Sequence, residues 1–259
     1  MAIDVNKLII TQVDQITAFN TANELEFILD ELTATTISNS EEKTDITGKG
    51  GRKIASLKKN KAVKITGTNA LVVGGAIAAI TGTEVESGTY KVRFTDIIVV
   101  NNDKCETKDT AVGTAGAEIG TIYVKNANGS LGRTLSQNAT ASKNGEFAYD
   151  PATKEITFFE GDLKNGEEVV AFYDVEVESA KISNDSEKYG KTLKLYIDIT
   201  AQDNCDNVYH GQFIIQRADF NGTFDLAIGS EPTTQAFEAE SLAGGCTGSS
   251  NLWDLIIFQ

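Results

Sequence analysis

Residues 191–203 read KTLKLYIDITAQD. In an extended chain Leu193, Leu195, Ile197 and Ile199 fall on one face, and Lys194, Tyr196, Asp198 and Thr200 fall on the other. That alternation predicts an antiparallel strand with one face on a core and one in water. The pattern continues on both sides. Downstream, GQFIIQRADF (211–220) and NGTFDLAIG (221–229) read as a hairpin or a bulged strand pair around Asn221-Gly222. AFEAE (236–240) follows a Pro-Thr-Thr turn and reads as a further strand. NLWDLIIFQ (251–259) is an apolar strand carrying Trp253, the one tryptophan, and it should dock onto a sheet or a partner. Upstream, EVVAFYDVEVESAKI (168–182), EITFFEG (155–161), TIYVKN (121–126) and YKVRFTDIIVV (90–100) are strand candidates. Turn signals separate them, such as Asp150-Pro151-Ala152-Thr153, where proline presets φ at the second turn position.

The N-terminal third is less regular. Residues 24–37 favour a strand; a helix capped by Thr21 or Asn23 is the alternative. Residues 38–61, SNSEEKTDITGKGGRKIASLKKNK, read as a long exposed loop. They hold a basic island of Lys49, Arg52, Lys53, Lys58, Lys59 and Lys61, either a solvated surface or a charged contact with an acidic neighbour. KAVKITGTNA (61–70) alternates as a strand. ALVVGGAIAAITG then predicts one short helix, with cap signals at Thr68 and Asn69 and an end near Gly82.

Composition bounds the function. The 259 residues are enough for one large β domain or two smaller ones, and 41% of them are apolar, enough for a real core. The formal charge of −14 argues against a polyanion bound through lysines and arginines. It serves solubility, or a surface that meets DNA without holding it. Cys105, Cys205 and Cys246 are widely spaced, which disfavours a disulfide scaffold. No secretory signal pattern opens the chain, and the run at 70–80 is too short for a bilayer.

Catalytic patterns are missing. His210 is the one histidine, and as a general base it would need Asp203 or Asp206 to orient it. One histidine and dispersed cysteines make no zinc set. The DNCDN run (203–207), Asp219/Asp225 and Glu238/Glu240 supply oxygens without a calcium-loop spacing. GKGG (48–51) lacks the phosphate-loop pattern, and no nucleophile elbow occurs. No cofactor and no catalytic residue is expected.

The order of the C-terminal segments, GQFIIQRADFNGTFDLAIGSEPTTQAFEAESLA before a short apolar end, resembles the tail tube proteins of long-tailed bacteriophages. KAVKITGTNALVVGGAIAAITGTEV, a strand entering a short Ala/Gly helix, is similar to that family's single helix. The resemblance covers roughly 50–100 and 168–259. It implies a mainly β fold, an antiparallel β-sandwich or barrel of the tail-tube type with one short helix and a long loop. It implies one domain over 1–259, with 101–165 an insertion or an outward-facing elaboration. Hexameric rings would stack into a tube that conducts DNA, in a virion assembled in the host cytoplasm. The partners would be other copies, the tape measure protein and DNA in the lumen, and sheath, terminator or baseplate proteins. Lys49, Arg52, Lys53, Lys58, Lys59, Trp253 and Phe258 become expected contacts between subunits. Asp219, Asp225, Glu238 and Glu240 become expected acidic groups of the lumen. A head decoration protein, a tail terminator and a glycan-binding β-sandwich are the competing readings.

Overall fold

A computed structural model describes residues 7–229, 232–243 and 250–259. In chain order the elements are β1 (Ile9–Phe19), β2 (Leu25–Leu29), β3 (Leu32–Thr47), β4 (Lys53–Asn69), α1 (Gly74–Thr81), β5 (Glu86–Val99), β6 (Lys104–Glu106), β7 (Thr121–Lys125), β8 (Leu131–Gln137), β9 (Glu146–Asp150), β10 (Glu155–Phe158), β11 (Glu168–Lys181), β12 (Thr192–Gln202), β13 (Val208–Phe220), β14 (Gln235–Ser241) and β15 (Asp254–Phe258). The protein is mostly β with a single α-helix among the described residues, as the sequence predicts. The chain divides into two compact units, 1–86 with 182–259, and 87–181.

The first unit is one eight-stranded sheet in the order β2-β1-β12-β13-β14-β4-β3, with β15 also paired to β13. Its core is built by period two. Leu193, Leu195, Ile197 and Ile199 of β12 are at most 2% exposed, and Ile16, Ile65, Ile215 and Ala239 join them from neighbouring strands. Each of these leucine and isoleucine side chains contributes about 1.5–3 kcal/mol on burial. Helix α1 lays Ala76, Ala79 and Ile80 on that core beside Phe27 and Leu29 of β2.

The second of the two adjacent glycines in the helix has a packing reason. A Cβ at Gly75 would stand 2.9 Å from the carbonyl oxygen of Glu26, so only glycine lets the helix approach β2 this closely. The helix stops at Gly82, left-handed at φ 71, as expected. Its start differs from the sequence reading. Thr68 and Asn69 belong to β4, and Val73 takes the N-cap position. Asn69 instead ties two turns, accepting from the Glu31 amide at 3.1 Å and donating to the Leu71 carbonyl at 2.8 Å.

Two other expectations are corrected. Residues 38–61 are exposed but are not a loop: they form the outer part of the β3–β4 hairpin, closed by a 3-10 turn at Lys49–Gly51. Ion pairs cross the ribbon and none of its side chains is buried, so no burial pattern marks them. NGTFDLAIG is not a strand of a hairpin with β13. Beyond Phe220 only Leu226 makes an isolated bridge, to Gln235. The hairpin partner of β13 is β14, through Ala218↔Ser241, Asp219↔Glu240 and Phe220↔Ala239.

The second unit is a seven-stranded sheet in the order β5-β11-β7-β8-β9-β10-β6. Ile122, Leu135, Phe147, Ile156 and Val169 fill its core without exposure. Its polar interior is satisfied. Asp96, 4% exposed, accepts from the Tyr173 hydroxyl at 2.6 Å and the Lys108 amide at 2.9 Å. Burial and the nearby carboxylate of Asp96 raise the Tyr173 hydroxyl well above its usual pKa. Asp162 takes two guanidinium bonds from Arg133, at 3.1 and 2.8 Å, and the Gly145 amide at 2.9 Å.

Candidate assembly surfaces

The first unit leaves strand edges open. β2 covers β1 only at Ile16–Phe19. Among the described residues, no strand pairs with the outer edge of β1 over residues 9–15. On the far side β14 covers β13 only at 218–220, and β15 takes over at His210–Ile214. The outer edge of β15 is likewise unpaired among the described residues. The registers put both edges at one level. Gln12 opposes Thr200, Thr200 opposes His210, and His210 opposes Phe258. The section β1-β12-β13-β15 is therefore four strands wide with a free edge at each side. Both edges carry exposed apolar groups: Ile9 and Ile10 on β1, Leu255, Ile256 and Phe258 on β15. A cleft between Ile10–Val13 and Leu32–Thr35 runs along the β1 edge. Unpaired edges of this kind are templates for another strand.

Sequence reasoning missed β1. Its register slips between Ile10 and Gln12 and again between Val13 and Gln15, so period two is broken twice in IITQVDQITAF. A reading that allowed two bulges would have found Ile10, Val13, Ile16 and Ala18 on one side.

The face of this section opposite the core carries a polar ladder on β1, β12 and β13, with Ile256 and Phe258 of β15 beside it. Asp198 accepts from Gln15 at 2.9 Å and from Gln212 at 2.7 Å, a ladder across three strands. Asp14 accepts from the Thr200 hydroxyl at 2.8 Å. Of the four acidic groups singled out in the sequence, three lie on this face farther along the sheet. Asp219 opposes Glu240 and accepts from Thr192 at 2.6 Å. Glu238 is held by Lys64 at 2.6 Å and by Asn221 at 2.8 Å, and Lys64 keeps its carboxyl below the usual range. Asp225 sits in the connection 221–229, which with Thr223 and Phe224 lines a groove over Thr66, Thr68 and Ala236.

The β3–β4 ribbon carries the basic island. Residues 40–62 hold seven basic and three acidic side chains, a net +4 on a chain of −14. Lys53 pairs with Asp45 at 2.7 Å and Lys58 with Glu41 at 3.0 Å. Lys49 opens the turn and Arg52 follows it, and Lys59 stands opposite Glu42. The register puts Ile46 and Ala55 beside Thr44 and Leu57 on one ribbon face, with Ile46 42% and Leu57 56% exposed.

Trp253 and Phe258 lie apart from the basic island. The Trp253 indole donates to Asn39 at 3.1 Å and meets the Phe213 ring edge-on at 5.6 Å. Phe258 lies 6.1 Å from the His210 ring. Asp203 spends its oxygens on its own turn, accepting from the amides of Cys205 and Asn207. Among the described residues no cluster suits a metal ion. Cys105 and Cys205 are free thiols, and burial pushes that of Cys105 up to about 12. Cys246 lies outside the described residues. Among the described residues no helix is long and apolar enough to cross a membrane.

No curated protein matches the chain. The model of the YomU/Tube protein family matches residues 8–253, nearly its whole length. By that match, and in agreement with its resemblance to phage tail tube proteins, the chain belongs to the YomU/Tube protein family.

Proposed function

We propose that the protein is the building block of a phage tail tube, with six copies closing into a ring and rings stacking into a conduit for DNA ejection. The observation that carries this reading is the four-stranded section with two free apolar edges at one level. The β15 edge of one copy pairs with the β1 edge of the next. Such a contact is heterologous, and a constant turn per copy closes it into a ring. The polar face of Gln15, Asp198 and Gln212 then lines the lumen. The acidic groups Asp219, Asp225, Glu238 and Glu240 lie towards it and repel DNA. The tape measure protein and DNA pass through without specific binding. The β3–β4 ribbon reaches an adjacent ring, where Lys49, Arg52, Lys53, Lys58 and Lys59 meet the acidic remainder of another copy. Trp253 and Phe258 brace the β15 seam. Sheath, terminator or baseplate proteins meet the tube at its wall and ends, and residues 101–165 form an insertion or an outward-facing elaboration. The protein acts in the virion after assembly in the host cytoplasm, and its role is structural.

Negative-stain electron microscopy across a concentration series tests the reading, with wild type beside Ile256→Lys. Wild type should give rings or tubes with a central hole. Ile256 is 51% exposed at the seam edge, so the lysine should leave folded, unassembled subunits with an unchanged melting curve. Small uniform particles from wild type at every concentration would sink the proposal.

A further inference from the structure

We propose that Asn221 is a self-modification site, which deamidates through a succinimide formed with the backbone nitrogen of Gly222. The chain holds four Asn-Gly steps: 128–129, 144–145, 165–166 and 221–222. In each, the glycine nitrogen can lose its proton and attack the asparagine Cγ. The new N–Cγ bond closes a five-membered ring, and the side-chain nitrogen leaves as ammonia. Water then opens the ring at either carbonyl, giving aspartate or isoaspartate. Glycine favours this attack because no Cβ obstructs the ring.

The fold separates the four steps. The reaction needs a glycine N–H free of a hydrogen bond. Gly129 donates to the Asn126 carbonyl at 2.8 Å, and Gly166 to the Val100 carbonyl at 2.9 Å. Gly145 donates to the Asp162 carboxylate at 2.9 Å. Among the described residues the Gly222 nitrogen has no such acceptor. Asn221 is also set up as the electrophile. Its side-chain oxygen accepts from the Thr223 amide at 3.0 Å, which draws electron density from Cγ. Both Asn221 and Gly222 are exposed, so water reaches the ring.

The product changes the polar face. Asn221 now donates to Glu238 at 2.8 Å, and Glu238 is shared with Lys64. After deamidation two carboxylates confront each other there, and the tie between the 221–229 connection and β14 is lost. This inference stands on the subunit alone and does not depend on ring assembly.

The test is peptide mapping by mass spectrometry of the full-length protein, incubated in mildly alkaline buffer made with heavy-oxygen water. The peptide with Asn221 should gain the deamidation mass, with one heavy oxygen, several-fold faster than the three other Asn-Gly peptides. In urea the four rates should converge, because the ordering comes from the fold. The proposal is overturned if Asn221 keeps its amide while another step reacts, or if the native ordering persists in urea.

Discussion

Strand β4 lies in two environments, and the contrast between its halves separates what folds this unit from what is proposed to assemble it. From Val63 to Asn69 it runs between β14 and β3, and Val63 and Ile65 are fully buried. From Lys53 to Ala62 it pairs with β3 alone, and its side chains stand in water. The inner half is held by a core. The outer half is a two-stranded ribbon, and such a ribbon is marginal by itself. Cross-strand ion pairs at exposed sites add little, roughly 0.2–1 kcal/mol each. A partner is what would make the outer half worth its exposed apolar groups.

The largest expected effect breaks the inner half. Ile65→Ala removes a fully buried side chain from the core of the first unit. It should cost about 2–5 kcal/mol and lower the thermal midpoint of the first unit. Leu57→Ala, on the same strand but 56% exposed, should stay within about 0.5 kcal/mol of wild type. Equal losses from the two substitutions would mean that the ribbon is part of the folding unit, and the contrast would collapse.

The next effect concerns assembly rather than stability. Ile46→Ser with Leu57→Ser strips the apolar face of the ribbon without touching its ion pairs. Melting should be almost unchanged, while tube length measured by electron microscopy or sedimentation should fall steeply. Tubes of normal length would show that the ribbon face makes no contact between copies.

The same contrast explains what the sequence could tell. KTLKLYIDIT and AFEAE were legible as strands because burial of one face writes a period-two pattern. The Ala/Gly helix was legible from its small residues and from Gly82. The ribbon was not, because charged and hydroxyl side chains satisfy one another across its strands and carry no burial signal. Nor was β1, whose two bulges interrupt its period. The basic island was visible as composition, yet its geometry depends on a register that only the folded hairpin supplies. The acidic groups divided similarly. Glu238 and Glu240 were visible as one strand face, but the lysine that pairs with Glu238 comes from β4, more than 170 positions away.

The smallest expected effect sharpens the comparison through acid. Each half of β4 holds a lysine that lowers the pKa of a glutamate: Lys64 on Glu238 in the sheet, and Lys58 on Glu41 in the ribbon. In both the lysine keeps the carboxyl below its usual pKa. A carboxyl lowered in the folded state stabilises above its unfolded pKa of about 4.3, and that contribution is lost as pH falls through the lowered value. Both pairs are largely open to solvent, so each contribution is modest. The two should nonetheless be read out differently. Glu238→Gln should flatten the acid limb of subunit stability below about pH 4.3, because its strand is part of the cooperative sheet. Glu41→Gln should leave that limb in place, because the ribbon adds little to subunit folding, and should change the salt dependence of tube formation instead. Acid melts of the two variants at matched ionic strength decide the matter. An acid limb that moves with Glu41→Gln and not with Glu238→Gln would reverse the assignment of folding to the inner half and assembly to the outer.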